Sequence, residues 1–132
     1  MSAVSPQGFA FNRTRQAYLA TRLRFAETYW TRLRGLLGTD AENFCAGEGL
    51  WIVPSNGVHT LAMRFPIDVI YLDKDKVVVY AQPNLKPWRV APIKIKAASV
   101  LELPGNTLQS TGTVVGDRVE IELGTLPEVR NA

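Results

Sequence analysis

The spacing of polar and apolar positions changes character several times along this chain. Leu19, Thr21, Leu23 and Phe25 alternate with Arg22 and Arg24, the period-two pattern of a half-buried strand. After Thr28, a plausible N-cap, the apolar residues Trp30, Leu33, Leu36 and Leu37 fall on one side of a helix, which Gly35 weakens and Gly38 ends. The motif TRLR occurs at 21–24 and again at 31–34, but the periods around it differ, so no duplication is inferred. The stretch 40–49 reads as a loop.

Beyond it lies a series of short β signals, each bounded by Gly, Pro, Asn or Asp. They are GLWIVP (49–54), VHTLAM (58–63), IDVIYL (67–72), VVVYAQ (77–82), ASVLELP (98–104) and RVEIEL (118–123). The run DKDK at 73–76 predicts a hairpin turn, and Gly116-Asp117 a second tight turn. Three prolines in PNLKPWRVAP (83–92) keep it out of a central strand and predict a long loop. GNTLQSTG (105–112) has room for one helical turn.

These elements predict an α+β, mainly β fold: a strongly bent antiparallel sheet or small β-barrel of six to seven short strands with one or two short helices. Residues 1–17, mixing Ser, Pro, Gly and Asn, read as a loosely ordered N-terminal arm. Residues 18–126 form one domain, followed by a tail at 127–132.

Composition narrows the function. The chain has 132 residues, 46% hydrophobic and 20% charged, an ordinary globular balance for one core. One cysteine and one histidine are too few for a closed zinc site, so no structural zinc is expected; the expectation is likewise of no other metal and no cofactor. With no apolar run of signal-peptide or membrane-spanning length, a cytoplasmic location is the expectation. The net charge of +3 is local: residues 1–44 hold six arginines against three carboxylates, leaving nine charges of each sign in the rest. This basic third suits a solvated face, and weak nucleic-acid or phosphate binding is one of three functional readings.

Taken in order, RLRGLLG, VHTLAMRFPIDVIYLD, KPWR, ASVLELPGNT and VVGDRV resemble the DUF192 family over residues 20–123. The resemblance implies a β-rich α+β domain and brings no established activity, substrate or cofactor.

Candidate chemistry concentrates in the middle of the chain. His59 shares a strand face with Leu61 and Met63 and needs a polar partner. Asp68 shares a face with Ile70 and Leu72, where a carboxylate must accept backbone N–H bonds or pair with an arginine, Arg64 or Arg89. Trp88 beside Arg89 joins a flat apolar face to a planar cation, suited to stacking or to an anion. The leading reading is therefore a non-enzymatic binding or accessory domain for a small anionic ligand or a protein partner, with His59, Arg64, Asp68, Trp88 and Arg89 as ligand-binding residues.

The alternative is a small hydrolase or lyase in which His59 and Asp68 are catalytic, with Ser55 or Cys45 as nucleophile. Neither sits in a GxSxG turn. Asp73 and Asp75 read as a solvated hairpin tip and Asp117 as a turn residue. Alternation directs Glu102 away from a core holding Leu101 and Leu103. No glycine-rich phosphate loop is present.

Overall fold

The computed structural model describes residues 8–26, 44–60 and 63–124. Seven strands are β1 (Gly8–Asn12), β2 (Ala17–Ala26), β3 (Glu48–Ile52), β4 (Ile67–Leu72), β5 (Val78–Leu85), β6 (Ser99–Pro104) and β7 (Val119–Glu122). Among the described residues one helix, α1 (Thr107–Thr111), accompanies them. The strands form a single sheet in the order β5-β4-β6-β3-β2-β1-β7.

The mainly β fold with a strongly bent sheet is as expected, and the barrel is not closed. The sheet curls into a half-barrel whose two ends meet at one corner. There Val78 N donates to the Asp117 carbonyl, Gly116 N to the Val78 carbonyl and Val119 N to the Lys76 carbonyl, at 2.8–2.9 Å. The rest of β5 and β7 does not join into a ladder.

Curling gives the sheet two covered faces. Ala10, Leu23, Leu72, Val78, Leu101 and Val119 share one apolar cluster. Because they come from both ends of the strand order, this is the inside of the curl. On the opposite face Leu50, Val69, Tyr71 and Val100 pack with Phe44, Val58, Phe65 and Ala91, which lie outside the sheet. All positions of β4 and β6 are consequently buried, which explains their near-continuous apolar sequences. Each buried Leu, Ile or Val there contributes roughly 1.5–3 kcal/mol.

Several sequence expectations are corrected. Residues 8–12 are not a loose arm: they form β1, antiparallel to both β2 and β7. Gly8 is required at that point because a Cβ there would collide with the Glu122 carbonyl. The sheet is not wholly antiparallel, since β2 and β3 run parallel. Such a pair needs a crossover connection; residues 27–43, where the helix after Thr28 was expected, lie outside the described residues, as does the tail at 127–132. The alternation of β2 lapses near its end, where Phe25 is exposed and Ala26 buried.

Among the described residues of VHTLAM, the pairing is an isolated bridge between His59 and Val90 in place of the strand expected there. Pro83 falls inside β5 rather than in a loop, which an edge strand tolerates because its outward N–H groups are unpaired. The hairpin at 73–76 is present as predicted. Asp73 Oδ1 accepts the N–H groups of Asp75 and Val77 at 2.8 and 2.9 Å, closing an Asx turn.

Candidate functional site

Asp68 is fully buried, on the inner face with Ile70 and Leu72. Its register explains its partners. Ile67 pairs with Leu85 and Val69 with Gln82, so Pro83 and Asn84 both stand opposite Asp68 in a β-bulge. Asn84 takes φ 49°, and its N–H donates to Asp68 Oδ1 at 2.8 Å. The other oxygen receives the N–H of Leu108, in the first turn of α1, at 2.7 Å. The N-cap residue of α1, Asn106, makes no side-chain cap bond, so Asp68 caps the helix from another strand. Backbone N–H groups thus serve both oxygens, the first of the two ways of satisfying Asp68 expected from the sequence; Arg64 and Arg89, the other, are both exposed.

His59, Trp88 and Arg89 lie on the outer side, joined through a residue that sequence reasoning missed. Thr60 is fully buried. Its N–H donates to the Arg89 carbonyl at 2.8 Å, and its carbonyl accepts the N–H groups of Trp88 and Met63 at 2.9 and 3.1 Å. Its hydroxyl donates to the Lys86 carbonyl at 2.6 Å and accepts the Arg89 N–H at 2.9 Å. One threonine therefore holds the KPWR loop by both main chain and side chain. Further along, Ala91 N donates to Val58 O and Lys94 N to Asn56 O, both at 2.9 Å. The Tyr71 hydroxyl donates to the Pro92 carbonyl at 2.7 Å. That hydroxyl stays protonated throughout the neutral range: burial, then the nearby Tyr80 and Glu102, push its pKa up to about 12.

The result is a pinned loop with its side chains outward. Trp88 adopts φ 63° and is 61% exposed, and Arg89 is exposed, its guanidinium reaching the Trp88 carbonyl at 3.3 Å. His59 is half-buried beside Val90. Arg64 follows Met63 at the end of the Thr60 turn. A further signal was legible in the sequence and overlooked: IKIK at 93–96 continues the loop with alternating apolar and cationic residues.

The other candidates are placed elsewhere. Ser55 Oγ donates to the Gly57 carbonyl at 2.7 Å, a local turn bond, and Cys45 is an exposed thiol. Val58 and Ala91, which flank the His59–Val90 bridge, belong to the outer cluster; Asp68 enters the inner one, so the sheet separates acid from histidine. Glu102 does leave the core of Leu101 and Leu103, but into the second covered face, where it is fully buried.

Asp117 is a turn residue and also the centre of a buried polar corner. Its Oδ2 accepts from Asn12 Nδ2, Arg15 Nε and Val114 N, each at 3.0 Å. Burial alone would raise this carboxyl, yet the three donors and the Arg15 charge bring it below its ordinary value. Arg13 and Arg22 likewise face Glu120 and Glu48. Three of the six arginines of the basic N-terminal third thus face carboxylates within the molecule. Among the described residues no group of three or more His, Cys, Asp or Glu is placed to hold a metal, and no helix is long and apolar enough to cross a membrane.

Known proteins share this arrangement's fold. A protein of unknown function from Novosphingobium aromaticivorans superposes with a TM-score of 0.69 at 21% identity, over 86% of this chain and 82% of that one. A Sinorhizobium meliloti structure, described as a "putative transcription regulator", gives 0.68 at 18% identity, over 91% and 98%. In sequence, a UPF0127 protein of Pyrococcus furiosus is 32% identical over 114 residues, 83% of this chain and 94% of its own length. A UPF0127 protein of Thermococcus sibiricus is 29% identical over 117 residues, 85% and 73% respectively. The DUF192 profile, described as "Uncharacterized ACR", matches residues 10–121. That match runs from β1 to β7 and takes in both the Asp68 cap and the Thr60 staple, so the chain belongs to the DUF192 family.

Proposed function

We propose that this chain is a binding or accessory domain rather than an enzyme, and that it meets an anionic group of a ligand or partner at the rim formed by His59, Arg64, Trp88 and Arg89. One observation carries the reading: Trp88 is held at a left-handed backbone angle, tied to Thr60, and still presents most of its surface to solvent. Exposing a large aromatic residue on a fixed loop gives up the burial that a core would have supplied. Beside it, Arg89 offers the planar donors that suit carboxylate or phosphate. Asp68 takes no part, because its oxygens are engaged within the fold.

The hydrolase reading is less favoured, since Asp68 accepts backbone N–H groups and lies across the sheet from His59. A thermal-shift screen with inorganic phosphate and small carboxylates tests the proposal. A rise in melting temperature is expected for the parent chain, and its loss in Trp88→Ala and Arg89→Ala variants that melt normally without ligand. A rise that survives in both variants would move the site elsewhere.

A further inference from the structure

We infer that the loop from Lys86 to Lys96 docks the domain on an anionic membrane surface, a partner that deepens and rests on the anion-binding reading of the same rim. Trp88, Val90, Ile93 and Ile95 are 61%, 71%, 71% and 92% exposed, a concentration of bare apolar side chains unmatched in the other described loops. Lys86, Arg89, Lys94 and Lys96 are interleaved with them and are also exposed. The sequence holds no Asp or Glu from Val77 to Leu101, so the only charges the loop itself carries are positive.

The composition matches what an anionic lipid interface recognises: a tryptophan for the headgroup level, aliphatic side chains for the acyl boundary, and lysines for the surface charge. Three of the four cations are lysines, flexible point charges that need no fixed receptor geometry. The apolar side chains stand out from the loop, most of their surface in solvent. A fluid surface accepts such a shape, whereas a stable protein interface buries about 800 Å² per partner in complementary contact.

The loop is also ordered before it binds. Thr60, the Tyr71 hydroxyl and the Asn56 and Val58 carbonyls hold its main chain, and Ala91 and Ala97 anchor it in the outer core. Little conformational freedom is left to lose on docking.

Vesicle co-sedimentation of the full chain tests this, using phosphatidylcholine mixed with phosphatidylglycerol, phosphatidylcholine alone, and soluble polyglutamate as a non-lipid polyanion. Binding is expected on the mixed vesicles and not on pure phosphatidylcholine, and it weakens with added salt. Replacing Lys94 and Lys96 together by Ala lowers the affinity by about thirtyfold, and Ile95→Ser lowers it without changing the melting temperature. Binding to polyglutamate with none to mixed vesicles would overturn the membrane inference and leave the anion-binding rim standing. No binding to either would overturn the inference, with the phosphate and carboxylate screen then deciding the rim. Vesicle binding unaffected by Ile95→Ser and by loss of the two lysines would overturn the assignment to this loop.

Discussion

Asp68 and Trp88 break the ordinary burial rule in opposite directions. Asp68 is a charge-bearing side chain inside a strand whose every position is buried, and Trp88 is a large apolar side chain outside. The first is fully accounted for within the fold. Each oxygen caps a backbone group that would otherwise be stranded, one in a bulge and one at the start of α1. The second is not: the hydrogen bonds around Trp88 fix its main chain and leave its ring in water. A polar group buried among apolar residues is thus weak evidence of function once its partners are found. An apolar group exposed on a pinned loop is stronger evidence, because packing does not explain it.

Variants that break each side of this comparison differ widely in expected cost. Asp68→Ala strands the N–H groups of Asn84 and Leu108 and is expected to destabilise the fold by about 2–5 kcal/mol, with α1 losing hydrogen-exchange protection first. Thr60→Val keeps the shape but removes the hydroxyl that bonds Lys86 and Arg89. A loss of about 1–3 kcal/mol is expected, accompanied by faster amide exchange at Arg89, whose N–H donates to that hydroxyl. Should exchange there be unchanged, Thr60 is not the staple of the loop.

Asp117 gives a smaller and pH-dependent effect. Its folded carboxyl titrates below the value it has in the unfolded chain, so its contribution is fully present above about pH 4 and is lost as pH falls through the folded value. Asp117→Asn is expected to cost about 1–2 kcal/mol near neutrality and to make the acid limb of a urea-midpoint profile shallower. A parallel acid limb would remove Asp117 from the account. Smallest of all, Trp88→Ala is expected to change stability by no more than about 0.5 kcal/mol.

Where the local pattern carried enough information, the fold was legible in the sequence. IDVIYL became β4 at residues 67–72, and Asp73 closes the DKDK turn. Both are decided by neighbours in sequence. Residues 8–12 were misread because their partners, β2 and β7, give GFAFN its sheet context, and β7 lies over a hundred residues away. VHTLAM has strand composition, but Thr60 turns its backbone toward the Lys86–Val90 loop, an exchange of hydrogen bonds that no period reveals.

Glu102 shows a different failure. Alternation gave its direction correctly, and the assumption of one core face gave the wrong environment, because a curled sheet covered on both sides has no solvent face at its centre. As for the candidate site, the sequence brought Trp88 and Arg89 forward. It could not separate them from Asp68, since only the bulge at Asn84 and the first turn of α1 reveal what that carboxylate holds.

Equilibrium urea unfolding of the Asp68→Ala and Trp88→Ala variants, measured side by side with the parent chain, tests the central distinction most directly. The account predicts a large drop in midpoint for the first and a midpoint within error of the parent for the second. An Asp68 variant as stable as the parent, or a Trp88 variant destabilised as much as the Asp68 one, would contradict it.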